Sequence, residues 1–121
     1  MLTESLITEH TDLSKSIFIG YSGGPDSTAL VHLLSTLKAK QDLNLKAIHI
    51  NHNLSKHSST WENHCIETCS KLNVNLITKS IKIKVDGGGL ESASRRARYK
   101  VFEKILNRDD QLLLGHHSDD V

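Results

Sequence analysis

"GYSGGPDSTALVHLL", residues 20–34, sets Gly23, Gly24, Pro25 and Asp26 between two serines, Ser22 and Ser27. An apolar run, "SIFIGY" (16–21), precedes it and reads as a buried strand. Beyond it, Leu30, Leu33, Leu34 and Leu37 fall at helical spacing, which predicts a helix over about 26–39. A loop so placed aims its own N–H groups, and those of the first helical turn, at one spot. The helix dipole adds positive potential there. Gly23 and Gly24 let the backbone approach an anion closely. Pro25 suits the first turn, where its missing N–H matters least. The hydroxyls of Ser22 and Ser27 are further donors, so the expectation is a nest for phosphate oxygens. The lysine of a G-x-x-x-x-G-K-[ST] loop is absent. Asp26 makes sense in an anion site if a divalent cation bridges it to phosphate. A turn-rich connection between strand and helix would use the same residue types, so these six residues alone do not decide the matter.

Outward from the loop, strand and helix alternate. "LKAIHIN" (45–51) reads as the second strand. Ser59 and Glu62 have the spacing of a capping box opening a second helix, with Trp61, Cys65, Cys69 and Leu72 on one face. "NVNLITKSIKI" (73–83) predicts the third strand, and "DGGG" (86–89) breaks the chain. Ala93, Ala97, Val101 and Ile105 repeat every four residues in a third helix, flanked by Phe102 and Leu106, and "QLLLG" (111–115) predicts a fourth strand. This order argues for an α/β fold, a doubly wound parallel sheet with helices on both faces. A strand that ends in "GHHSDD" with no helix after it suggests that the sheet is truncated after its fourth strand and that the chain is part of a longer polypeptide.

The 121 residues suit one domain. With 37% hydrophobic and 24% charged residues the composition is globular, and 4% aromatic residues imply an aliphatic core. Fifteen basic against fourteen acidic residues, net +1, do not make the broad basic face of a dedicated nucleic-acid-binding domain. The start, "MLTESLITEH", lacks a signal-peptide pattern, and no apolar run reaches membrane-span length, so the expected location is cytoplasmic, with no membrane partner. Cys65 and Cys69, four apart in a helical pattern, read as small buried thiols.

"SGGPDS" resembles the SGGxDS signature of the PP-loop ATP pyrophosphatases, of adenine nucleotide alpha hydrolase-like fold, which split ATP between its α and β phosphates. "AIHINHNLS" (47–55), "LESASRRARYKVFE" (90–103) and "LLLGHHSDD" (112–120) further resemble, in order and spacing, the N-terminal domain of the tRNA(Ile)-lysidine synthetase family. The resemblance implies that residues 1–121 are the N-terminal part of one PP-loop ATP-binding domain, without the rest of the catalytic domain or the C-terminal tRNA-binding domains. It implies a ligase that joins free L-lysine to the wobble cytidine of isoleucine tRNA, using ATP and Mg²⁺, through an adenylated base, with release of AMP and pyrophosphate. It also implies a homodimer, and a fragment weak or inactive by itself.

Residue by residue, the resemblance assigns Ser22, Gly23, Gly24 and Ser27 to the pyrophosphate, with Pro25 and Asp26 in the same ATP-binding loop, and Ile48, His49 and His52 to adenine or ribose, mostly through backbone. Asp26 would hold Mg²⁺ with Asp120, or position the lysine amine. Arg95 and Arg98 match the family's R-x-x-R-Y pattern, here with Tyr99, and His117, Asp119 and Asp120 match its H-x-D-D motif. Together with Asp26 these form the expected catalytic set. Arg96 and Lys100 read as an ordinary exposed basic helix face. Asn53 stands where the family usually has glycine, and Val121 where glutamine is common. Two other readings fit the loop: a tRNA thiolase of the same superfamily, and a non-catalytic adenine-nucleotide-binding module. C-x-x-C pairs, which thiolases usually carry, do not occur here. Three acids near phosphates exceed what simple binding needs.

Overall fold

Strand β1 (Ile17–Gly20) has Ile17, Phe18 and Ile19 all buried, so both its faces are covered. That is the burial expected of a central parallel strand between helix layers. The computed structural model describes residues 14–22, 24–52, 57–82 and 89–114. Within them β1 is followed by α1 (Pro25–Lys40), β2 (Leu45–Asn51), α2 (Ser58–Lys71), β3 (Asn75–Ser80), α3 (Gly89–Ile105) and β4 (Gln111–Leu114). The four strands are all parallel in the order β3-β2-β1-β4. The expected α/β doubly wound sheet is therefore the observed one.

Strand order explains the layers. The chain steps from β1 to β2 to β3, then returns past β1 to place β4 on its far side. Parallel crossovers are right-handed, so steps in opposite directions put their helices on opposite faces. Accordingly α1 and α2 pack Leu30, Val31, Leu34, Leu37, Cys65 and Cys69 against Ile17, Ile19 and Ala47. On the other face α3 packs Phe102, with Tyr99, Val101 and Ile105 beside it, against Phe18, Ile48 and Ile50. The order reverses at β1, and a doubly wound sheet opens a crevice at that point, outside the carboxyl ends of its strands.

The expected and observed elements differ in instructive places. No capping box opens α2. The helix starts at Ser58, with His57 as its N-cap and no side-chain cap bond, so Ser59 already lies inside the first turn and cannot cap it. Trp61 does not join Cys65 and Cys69 in the core but is 47% exposed. Helix α2 begins beyond the carboxyl end of β2, so its first turn overhangs the sheet edge. The third strand is shorter than 73–83, because α2 ends in a Schellman turn. Asn73 takes φ 58° there, its N–H donates to the Ser70 carbonyl (3.2 Å), and the Val74 N–H donates to the Cys69 carbonyl (2.9 Å). Asparagine tolerates that left-handed conformation. Residues 83 and 115 of the predicted strands and 86–88 of the predicted break lie outside the described residues. Among the described residues no helix is long and apolar enough to cross a membrane.

Leu34 is fully buried between α1 and the sheet, whereas Ile66 on α2 is 44% exposed. Leu34→Ala is expected to cost about 2–5 kcal/mol in urea unfolding. Ile66→Ala should cost about 0.5 kcal/mol or less, and similar losses at both sites would contradict this packing.

Candidate functional site

The loop after β1 is held by Tyr21, which is 1% exposed. Its N–H donates to the Ile48 carbonyl (2.8 Å), carrying the β1–β2 ladder one residue past the strand. Its carbonyl lies 2.9 Å from His49 Nδ1, so that nitrogen carries the proton and donates. Its hydroxyl accepts from Thr28 Oγ1 (3.3 Å) on the first turn of α1. Strand end, loop exit and helix start are thus tied to one residue.

From Tyr21 the chain turns into α1. Gly24 is the N-cap residue, with no side-chain cap bond, and Pro25 occupies the first helical turn. The Thr28 N–H makes the first helical bond, to Gly24 O (3.0 Å). Helix geometry therefore leaves the amides of Asp26 and Ser27 without intrahelical acceptors, while Pro25 has no N–H to leave over. The Ser22 and Ser27 hydroxyls are 3.0 Å apart, and Ser22 Oγ also accepts from the Gly24 N–H (3.3 Å). Ser27 is buried because it begins the sheet-facing stripe of α1, whereas Asp26 is exposed. Two hydroxyls and two spare amides thus converge at the positive end of a helix dipole, with one carboxylate alongside. A carboxylate in a first helical turn also stabilises the helix itself.

Strand β2 supplies two histidines with opposite surroundings. His49 is buried, bonded to Tyr21 and 3.6 Å from Cys65 Sγ on the α2 side. His52 lies three residues on, and the Arg98 charge from α3 acts on it. His52 Nδ1 and Arg98 Nε are both buried without a hydrogen-bond partner among the described residues. Ile48 turns its side chain into the α3-side core and gives its carbonyl to Tyr21.

Arg95 and Arg98 do not share one environment. The Arg95 guanidinium lies 5.7 Å from the Tyr99 ring centroid. It lines an open cavity of about 360 Å³ with Arg96, Tyr99, Lys100 and Glu103. Arg98 is absent from that lining and bears on His52 instead. Gly23, His117, Asp119 and Asp120 lie outside the described residues. In sequence the last three follow closely on Leu114, which pairs with Gly20 at the end of β1. Among the described residues no three His, Cys, Asp or Glu side chains converge as a metal site. Burial pushes the Cys65 thiol up to about 12, with Cys69 and Glu62 adding to the shift, and the Cys69 thiol up to about 11. Both are free, buried and protonated at neutral pH.

The PP-loop domain family profile matches residues 3–121. The chain belongs to the PP-loop domain family. Its loop, Ser22 to Ser27, occupies the strand–helix junction at the switch point of the PP-loop sheet. The chain is 35% identical over 120 residues to a tRNA(Ile)-lysidine synthase of Enterobacter sp. (strain 638), covering 98% of this chain and 28% of that protein. It is 40% identical over 103 residues to the tRNA(Ile)-lysidine synthase of Alkalilimnicola ehrlichii, covering 84% and 23%. It is also 40% identical over 120 residues to that of Buchnera aphidicola subsp. Schizaphis graminum, covering 98% and 26%. The chain thus spans about a quarter of the length of these relatives. Its fold resembles that of the U34-tRNA thiolase NcsA from Methanococcus maripaludis with its [4Fe-4S] cluster. The TM-score is 0.64 at 21% identity, over 97% of this chain and 44% of that one.

Two residues at the loop carry contacts that residue patterns did not point to. Tyr21 read only as the end of a strand and Trp61 only as part of a helix face. The Tyr21–His49 and Trp61–Ser22 bonds cross 28 and 39 positions of sequence, and no local pattern encodes them.

The pKa of His52 is lowered from 6.5, first by burial, then by Arg98 and His49. As pH falls below 6.5 the unfolded chain takes up a proton that the folded chain resists. The contribution to stability is therefore full above 6.5 and is lost as pH falls through the lowered folded value. His52→Gln should flatten that acid slope in unfolding measured against pH. By NMR titration, Arg98→Met should raise the His52 pKa yet leave it below 6.5, because burial is the larger cause. A wild-type His52 titrating at or above 6.5 would contradict the arrangement.

Proposed function

We propose that residues 1–121 are the ATP-binding, N-terminal part of an enzyme that joins free L-lysine to the wobble cytidine of isoleucine tRNA. The observation that carries this reading is the loop itself. Two serine hydroxyls and the spare amides of α1 converge at the switch point, in a chain 35–40% identical to tRNA(Ile)-lysidine synthases.

The reaction would run in two displacements. The cytosine O2 attacks the α-phosphate and pyrophosphate leaves; the lysine amine then displaces AMP at C2. The demand on the protein is to stabilise charge gathering on the pyrophosphate, which fixed donors do without reorganising. Ser22, Ser27, Gly23, Gly24 and the first-turn amides of α1 would take that role. The chemistry of the Asp26 carboxylate, exposed beside those donors, fits a hard cation. Asp26 and Asp120 would hold Mg²⁺, which when bound neutralises phosphate charge. Arg95 and Arg98 would meet phosphate or cytidine. The backbone about Ile48, with His49 and His52, would flank adenine or ribose. His117, Asp119 and Asp120 would complete the site for phosphate-bound metal or the lysine ammonium. A cytoplasmic homodimer goes with this reading. Sulfur transfer fits the described cysteines poorly, because it needs thiolates and both thiols are held protonated.

A chimera tests the proposal. Residues 1–121 would replace the matching segment of the Buchnera aphidicola tRNA(Ile)-lysidine synthase. Labelled lysine incorporation into isoleucine tRNA and pyrophosphate release would then be followed with ATP and Mg²⁺. Both should occur, and Asp26→Asn should lower both rates by about 10²–10³-fold. Pyrophosphate release sustained over many turnovers with no labelled lysine entering the tRNA would overturn the assignment.

A further inference from the structure

We infer that Trp61 is a positioning residue for the phosphate loop, turning the loop's acceptor away from the bound phosphates. The inference rests on the reading of the Ser22–Ser27 loop as the ATP phosphate cradle.

An anion site must present donors and hide acceptors. Around this loop the donors are the Ser22 and Ser27 hydroxyls and the spare amides of Asp26 and Ser27. The main-chain carbonyl of Ser22 is an acceptor in the same turn, and a free carbonyl dipole aimed at phosphate would repel it. Trp61 Nε1 donates to that carbonyl at 2.6 Å. The bond fixes the direction of the carbonyl toward α2 and occupies one of its two lone pairs. The indole comes from a rigid place, since the Trp61 N–H makes a backbone bond of α2, to His57 O (2.9 Å).

The surroundings of the ring argue against an ordinary packing role. Trp61 is 47% exposed, lies outside both core clusters, and meets His64 at a centroid distance of 5.7 Å. A side chain holding α2 to the sheet would be buried, as Cys65 and Cys69 are. Trp61 reaches past the sheet edge to the loop. Its N–H is the part of the side chain with a specific partner.

The test removes the N–H while keeping the ring. Trp61 would be replaced by 3-benzothienylalanine, which has the shape of tryptophan without its donor, and separately by Phe. Binding of ATP and of inorganic pyrophosphate to the 121-residue chain would be measured by calorimetry. The thermal midpoint of each variant would be recorded alongside. Trp61 is the single tryptophan of the chain, so wild-type emission reports on this site alone. Saturating pyrophosphate should change that emission. Both variants should bind ATP and pyrophosphate about three- to tenfold more weakly, as expected for one lost hydrogen bond. The 3-benzothienylalanine variant should keep its thermal midpoint to within about 2 °C. Wild-type-like affinity in the 3-benzothienylalanine variant, or wild-type emission unmoved by bound pyrophosphate, would overturn the role of Trp61 alone. A wild-type chain binding neither ATP nor pyrophosphate would overturn the phosphate-cradle reading, and this inference with it.

Discussion

Everything at the carboxyl edge of this sheet depends on how Tyr21 is held. Its phenol is buried, which is tolerable only because its hydroxyl has a partner in Thr28. Its N–H and carbonyl are taken by Ile48 and His49 of the neighbouring strand. A strand end normally frays, and a glycine-rich loop leaving a frayed end would scatter its donors. Here the loop departs from a residue fixed in position and direction.

The parallel sheet distributes tasks through its period of two. Along β2, Ile48 and Ile50 face α3, while Ala47 and His49 face α1 and α2. Continuing the alternation sends His49 into the structural support of the loop and His52 toward Arg98. One short segment thus serves both sides of the crevice. The same logic separates the cysteines from chemistry. Cys65 sits under His49, in the layer that supports the loop, where burial keeps its thiol protonated.

The architecture was open to reading in the sequence because each element carried its own period. β2 was read at its observed bounds, and α1 to within a residue at each end, from leucine spacing and the Gly-Pro junction. The family followed from ordered motifs, which composition alone could not supply. The misses have a common cause. The capping box at Ser59 and Glu62 has the right spacing, but His57 takes the N-cap place and α2 starts two residues too early for it. Asn73 lay inside a predicted strand because helix-ending turns depend on φ, which residue type only biases. Trp61 shares a helix face with Cys65 and Cys69 by spacing, yet it is half exposed where they are buried, because spacing along a helix does not say where the sheet beneath it ends. The split between Arg95 and Arg98 also depended on what lies beside each turn of α3, and spacing of three carries no such information.

The polar atoms left over are as telling as those that are paired. Buried polar atoms without partners are rare in folded proteins and costly to keep. Arg98 Nε and His52 Nδ1 are two such atoms among the described residues, and the Arg98 charge acts on His52. With Arg98 already charged, the lowered pKa of His52 keeps the imidazole neutral at physiological pH. The positive charge there is then carried by the guanidinium and not by the imidazole, so the folded chain avoids setting two cations side by side.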